Sequence, residues 1–260
     1  APFIPTAVRD KFINWHNARL ATTFDNVIAT TNFAAAEFVR IKTSNLRKVA
    51  LGVDLVGFNP ENRNSKLRKE LLKGSEFLLV HCGRMSPEKQ PERSVQALAE
   101  LVKAGVNARL VIVGGGPLWN KIRKQSTGLP VDMVGYIASR QKVADYLAAA
   151  DLAIAPGPLE TFCLSALESL ASGTPVVASK SSAVGEILNI NSIKAAGAVA
   201  SDDGISFANE IVKLLNKGNL RKVARNQAEQ FSWANTIDAM LDIHDAKKPM
   251  VTTKRRLKAA

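Results

Sequence analysis

The chain has 260 residues, 46% of them hydrophobic and 22% charged, which is enough apolar material for one large or two modest globular domains. No run approaches the roughly 18 uncharged apolar residues of a membrane span and no basic-then-apolar leader opens the sequence, so a cytoplasmic protein is expected. A formal net charge of +12 turns attention to phosphates, nucleic acid and anionic lipid, while the two cysteines, Cys82 and Cys163, make no disulfide framework.

In chain order, residues 8–20 carry loosely helical spacing, 27–30 read as a short strand, 32–41 as a helix capped by Asn32, and 48–51 as a second strand. So little sheet cannot bury a core of its own. Residues 1–52 are therefore expected to be the end of an α/β domain whose earlier strands lie outside this chain, and 53–75 read as a polar linker. From Glu76 the alternation becomes regular. Strands are predicted at 77–81, 108–113, 131–134, 152–155 and 176–178, and helices at 91–104, 117–124 and 141–150, with a further helix closed by Gly173. A short helix at 184–188, a weak strand at 198–200 and helices at 205–215 and 220–230 follow. Continuous apolar strands between amphipathic helices predict an α/β fold, a Rossmann-like, doubly wound parallel sheet spanning 76–230 and covered on both faces. Residues 231–246 close the fold as a helix.

The tail at 247–260 holds Lys247, Lys248, Lys254, Arg255, Arg256 and Lys258 without an acid. It suits an anionic bilayer, at about 1 kcal/mol per basic residue, and suits a solvated terminus equally. Nucleic acid is not expected as a partner, because no aromatic residues interleave with the basic ones.

A parallel sheet sends all its strand-to-helix loops out of one edge, so those loops are read as one surface. The segment 156–177 organises it. Pro156, Gly157 and Pro158 break the chain after a strand, place Glu160 in a loop beyond the strand's carboxyl end, and aim the next helix's free N–H groups at an anion. Glu168 lies further along, on the order of 10 Å away at about 1.5 Å per helical residue. With Thr161 beside them, the amides near Phe162, Cys163 and Leu164 would hold phosphate. Glu160 and Glu168 would accept hydrogen bonds from sugar and ribose hydroxyls, which is the layout of a nucleotide sugar. A solvated pair of acids on an ordinary helix has the same letters.

Three more loops share the rim. In 83–89, Gly83 is followed by Arg84, a planar fork for phosphate, and by Lys89, a point charge. Gly114, Gly115 and Gly116 permit positive φ and close approach of a ligand, or make a plain tight turn. Trp119 stands where a dinucleotide fingerprint needs glycine, so that motif fails. Tyr136 and Ile137 suit a flat base, or a turn with the tyrosine packed on the next helix. His16, His81 and His244 are scattered, and neither a metal-ligand spacing, a nucleophile elbow nor a P-loop occurs.

Taken together, Glu160 and Glu168 eight apart, Gly83-Arg84 with Lys89, the glycines at 114–116, Ala150-Asp151 and the run Ala-Ser-Gly-Thr-Pro-Val-Val at 171–177 resemble the donor-binding half of the retaining GT-B glycosyltransferases of family 4. The resemblance covers about 27–245, and Phe231-Ser232-Trp233 is similar to the point where that family's last helix returns to the first domain. It implies hexose transfer with retention and without a bound metal or other cofactor. It also implies Glu160 at the transferred sugar, Glu168 at the ribose, Arg84 and Lys89 at the diphosphate, and Gly83, Gly115, Gly116, Tyr136, Ile137, Thr161, Phe162, Cys163 and Leu164 around the donor.

Residues 86–94 and 156–162 look most like actinobacterial GDP-mannose-dependent α-mannosyltransferases of glycolipid assembly. That implies a GDP-mannose donor, a lipid or glycolipid acceptor, and a peripheral position on the inner face of the plasma membrane. Cys163 departs from the family, where glycine is frequent, so its side chain is expected to turn away from the phosphate. The family's Gly-rich and His-bearing acceptor elements do not occur here, so this chain alone is expected to bind donor without turnover. A nucleotide-sugar-binding module and a nucleotide-sugar epimerase of the same fold are the alternatives.

Overall fold

The computed structural model describes residues 6–245, and the basic run at 247–260 lies outside them. Helix α1 (Thr6–Thr23) leads to strand β1 (Val27–Ala29), helix α2 (Asn32–Arg40) and strand β2 (Leu46–Lys48), and the two strands pair in parallel. Helix α2 opens on Thr31 and not, as the sequence suggested, on Asn32. Thr31 is extended and its hydroxyl accepts from Ala34 N at 3.0 Å, as an N-cap side chain does. The Asn32 side chain is engaged elsewhere, accepting from Lys48 Nζ at 2.9 Å. Strand β2 ends earlier than the apolar run at 48–51, because Ala50 and Leu51 leave the ladder to pack on the larger core that follows.

The stretch read as a polar linker contains helix α3 (Ser65–Leu72), capped by Asn64, whose side chain accepts from Lys66 N and Leu67 N. Its Leu71 and Leu72 pack against the main core. The regular part then runs through β3 (Phe77–Cys82), α4 (Pro91–Lys103), β4 (Ala108–Val113), α5 (Trp119–Gln125) and β5 (Val131–Gly135). It continues through α6 (Arg140–Ala149), β6 (Leu152–Ala155), α7 (Leu164–Ala171), β7 (Val176–Ser179), α8 (Val184–Leu188) and β8 (Gly197–Ala200). Helix α5 starts at Trp119 and not at Pro117: Leu118 is its N-cap, accepting from Ile122 N at 2.9 Å and donating to Met85 O at 2.9 Å.

The strands form one parallel six-stranded sheet in the order β5-β4-β3-β6-β7-β8. The chain winds outward from β3 to β5, returns through α6, and winds outward again from β6 to β8. The carboxyl ends of β3 and β6 therefore meet at the point where the winding reverses, and loops leaving them diverge to open a crevice.

Both faces of the sheet are covered. Leu78, Val80 and Val111 lie in one core with Leu147 of α6 and Leu167 and Leu170 of α7. Leu79, Leu110 and Ile112 lie in the other with Leu98 of α4 and with Phe207 and Ile211 of α9 (Gly204–Asn216). Alternate residues of β3 thus enter opposite cores, which is why the strand reads as an almost unbroken apolar run. Asp151 fastens the base of this sheet, its carboxylate accepting from Leu78 N at 2.8 Å, Arg68 at 2.8 Å and Arg63 at 3.2 Å. After α10 (Arg221–Ala228), helix α11 (Trp233–Asp245) crosses back to the first part of the chain. There Val53 N donates to Phe231 O at 2.9 Å, and Thr236 Oγ1 to Ala50 O at 2.9 Å. Among the described residues no helix is long and apolar enough to cross a membrane.

Candidate functional site

The crevice at the winding reversal brings two oppositely charged side chains together from different strands. After β3, the loop from Gly83 closes in a single 3-10 turn at Pro87–Lys89, which carries Lys89 over the crevice. After β6, the turn at Pro156 and Gly157 delivers Glu160, and Arg93 of α4 steadies that turn by donating to Pro156 O at 2.9 Å. Lys89 Nζ stands 2.6 Å from Glu160 Oε1, and the glutamate side chain is only 13% exposed. Glu160 precedes α7 by four residues, so its distance from Glu168 is not the helical rise assumed from the sequence. Around the pair, His81, Gly83, Gly157, Cys163 and Ser165 enclose a small cavity of about 40 Å³.

Cys163 occupies the N-cap of α7 in the left-handed region, with φ 74°, a conformation natural to glycine and costly for other residues. Its thiol is buried with the core, 3.5 Å from Ser165 Oγ, and also forms part of the small cavity's wall. Burial first, and then the charge of Glu160, pushes the thiol up to about 11, so it stays protonated near neutral pH. No side chain caps α7. Ala166 N donates to Cys163 O at 3.2 Å, so among the described residues the Leu164 and Ser165 amides are the first-turn donors left for an anionic guest.

A second cavity, of about 560 Å³, adjoins the first and shares Cys82 and Gly83 with it. Gly115, Ile137 and Val143 wall it, Arg84 stands exposed on its lining, and Tyr136, 83% exposed, is also part of it rather than packed on α6. The glycine run serves a purpose other than ligand approach alone. A Cβ on Gly114 would lie 1.9 Å from Gly83 O, and one on Gly116 would lie 2.4 Å from Met85 O. With φ of 135° and 155°, these two residues let the 114–116 loop lie flat on the 83–85 loop, where Met85 N donates to Gly115 O at 2.9 Å. Gly115 faces the cavity while Gly116 lies behind it against Met85.

Glu168, one turn into α7, has a half-buried carboxyl. Burial pushes its pKa up, Arg140 at 3.6 Å opposes the rise, and Asp54 adds to it. Glu168 in turn lies close enough to Cys82 to help raise that thiol, which burial chiefly pushes up to about 12. Arg140 also stacks over Phe58, its guanidinium carbon 5.1 Å from the ring centre.

The rest of the 160–164 segment faces the first part of the chain. Thr161 O accepts from Thr31 Oγ1 at 2.8 Å and from Thr30 Oγ1 at 3.3 Å, and Ala183 N donates to Glu160 O at 2.8 Å. The Phe162 ring is buried edge-on to Phe231, with centroids 6.1 Å apart. It lines a separate cleft of about 360 Å³ together with Thr31 and Lys48. Leu164 is exposed at the start of α7.

Two participants were not singled out from the sequence. Glu186 of α8 accepts from Asn32 N at 2.9 Å and from Phe33 N at 2.8 Å, so it holds the start of α2. His81 was read as one more strand residue, though a histidine in an apolar strand two positions before the Gly83 loop is itself a signal. Among the described residues no three His, Cys, Asp or Glu side chains gather as a metal centre.

Comparison with known proteins adds the following. The sequence profile of the family described as Glycosyl transferases group 1 matches residues 62–231. A GDP-mannose-dependent alpha-(1-6)-phosphatidylinositol dimannoside mannosyltransferase of Mycobacterium tuberculosis (strain ATCC 25177 / H37Ra) is 45% identical over 240 residues, covering 92% of this chain. The chain spans 62% of that relative's length. A D-inositol 3-phosphate glycosyltransferase of Saccharomonospora viridis is 30% identical over 85% of this chain and 55% of its own. Among solved structures, Anabaena Alr3699/HepE in complex with UDP superposes with a TM-score of 0.78 at 20% identity, over 95% of this chain and 70% of its own, a likeness of fold.

Proposed function

Because this chain belongs to the Glycosyl transferases group 1 family, whose profile covers residues 62–231, we propose that it supplies the donor-binding half of a retaining hexosyltransferase. The donor in this reading is GDP-mannose and the acceptor a lipid or glycolipid, supported by the specificity of the mycobacterial phosphatidylinositol dimannoside mannosyltransferase. The base enters the cavity of about 560 Å³ beside Tyr136 and Ile137, the ribose hydroxyls reach Glu168, and the hexose meets Glu160. The diphosphate lies along Gly83, Arg84 and the uncapped start of α7, where Thr161, Phe162, Cys163 and Leu164 present their backbone.

Catalysis follows from where charge develops. As the bond from the hexose to the diphosphate breaks, its electron pair passes to the diphosphate oxygen, and the acceptor hydroxyl forms the new bond at the same carbon and on the same face while handing its proton to a departing diphosphate oxygen. Arg84, Lys89 and the α7 amides take up the growing negative charge. Lys89 holds Glu160 in place until the donor arrives, then divides its charge between carboxylate and phosphate. In this reading the two cations do the work a divalent metal does elsewhere, so no bound metal or other cofactor is required. A glycolipid acceptor places the reaction at the cytoplasmic face of a membrane, and the net charge of +12 favours that surface.

The observation that carries the proposal is the Lys89–Glu160 contact of 2.6 Å, built from the loops of β3 and β6 at the reversal of the winding. Calorimetry with GDP and UDP, followed by transfer from GDP-mannose to phosphatidylinositol mannosides by the complete protein, tests it. Binding of GDP over UDP and a mannosylated product are expected. Failure to bind either nucleotide, or binding without transfer to any lipid acceptor, rejects it.

A further inference from the structure

The next-to-last residue of strand β3 is a histidine where its pattern calls for an apolar side chain. His81 is 3% exposed, and its Nδ1 lies 2.9 Å from Oγ of Ser94, a fully buried residue of α4. Among the described residues Ser94 Oγ has no backbone carbonyl to donate to, so its proton goes to Nδ1 and the ring keeps its own proton on Nε2. This tautomer is assigned from the hydrogen-bond network.

That Nε2–H is buried and has no partner among the described residues. A buried donor left unmade is costly, and an orphan of this kind in a folded protein calls for a reason. The geometry supplies one. His81 lines the small cavity between the β3 and β6 loops, and a Cβ placed on Gly83 would sit 3.8 Å from Nε2, so the buried ring nitrogen lies next to the Gly83 backbone at the edge of that cavity. The charged and titratable groups on that cavity are Lys89 and Glu160 from the two loops, with Cys82 and Cys163 as protonated thiols. Burial, and then Lys89, hold the ring down at about 4, so it is neutral and offers one N–H.

We infer that His81 is a donor-binding residue: its Nε2–H hydrogen-bonds a non-bridging oxygen of the sugar-proximal phosphate lodged between Gly83 and Glu160, and Ser94 fixes the tautomer that makes this bond available. The inference rests on the nucleotide-sugar reading of the same crevice and names a group that reading does not use. Sequence order explains the placement. Position 81 alternates with Leu79 onto the α4 side of the sheet, so its ring is gripped by Ser94, yet it lies at the strand's last turnout before the phosphate loop.

The test is calorimetry on the complete protein with GDP and GMP, since GMP lacks the phosphate concerned. His81→Leu is expected to weaken GDP by about 10- to 100-fold, as loss of a hydrogen bond to a charged oxygen does, while GMP affinity stays within about twofold. His81→Gln, whose amide reaches the same place, is expected to restore most of the loss. In the unmodified protein, the His81 Nε2–H resonance is expected to move on adding GDP and hold still with GMP, a readout that needs no variant to fold. Unchanged GDP affinity in His81→Leu, equal loss of GDP and GMP, or an unmoved resonance overturns the inference and leaves His81 a structural residue satisfied by water. If the unmodified protein binds neither GDP nor UDP, the nucleotide-sugar reading itself falls, a result distinct from all of these.

Discussion

Acid should destabilise this fold through His81, and the size of the effect can be worked out. In the folded chain burial holds its imidazole down to about 4, against 6.5 in the unfolded chain. The stabilisation tied to keeping the ring neutral is complete at pH 7 and is lost as pH falls through 6.5 toward 4, because over that interval the unfolded chain binds the extra proton. At about 1.4 kcal/mol for each pH unit, the loss is roughly 2 kcal/mol by pH 5. For a domain of this size that is a drop of about 4 to 8 °C in Tm. The perturbation is His81→Gln, which removes the titrating group while other acids and bases, Glu168 among them, remain in both proteins. Thermal melts at pH 7.5 and pH 5.0 give the difference of differences. The native protein is expected to lose about 4 to 8 °C more than the variant on acidification. Parallel shifts would show that the ring takes its proton in the fold and would refute the reasoning.

Other outcomes follow from the same geometry. Lys89→Met should weaken GDP binding at least about tenfold by calorimetry, since it strips a phosphate cation and leaves Glu160 unpaired. Glu160→Gln should abolish sugar transfer with GDP affinity changed by less than about threefold; normal turnover would remove the role given to this carboxylate. Donor affinity should fall on acidification through the raised pKa of Glu168, at a higher pH than an ordinary carboxyl near 4.5 would give, because only the ionised form accepts two ribose hydroxyls. Glu168→Gln should flatten that profile, and an unaltered profile counts against the assignment. Gly114→Ala should cost about 2 kcal/mol or more in denaturant titration, since its Cβ meets Gly83 O at 1.9 Å in a left-handed backbone. Glu186→Gln should lower stability by about 1 kcal/mol through the start of α2; no change would mean those amides are equally well served by water.

The sheet was legible because its strands, buried on both faces, are short apolar runs that only a covered parallel sheet tolerates, and because Gly and Pro mark each exit from it. The same punctuation located the Gly83, Gly115 and Pro156 loops on one rim. What escaped were contacts between residues far apart in sequence. Nothing local in Glu186 says that it holds two amides more than 150 positions away, and Thr31 looks no better a cap than Asn32 until Lys48 claims the latter. Helix α3 was hidden by its charges, since only Leu71 and Leu72 reach the core. Tyr136 illustrates the opposite failure, a side chain whose two sequence readings only its exposure separates.

The peptide that follows Glu160 is moored on both sides. Thr161 O is held by hydroxyls from the end of β1, and Glu160 O by the amide that opens α8, whose own Glu186 grips the first turn of α2. If the small unit around β1 and β2 swings away from the large sheet it must release Thr161, the residue next to Glu160, while Glu160 O stays tied to α8 of the large unit, so the hinge angle and the aim of Glu160 are coupled through a single peptide.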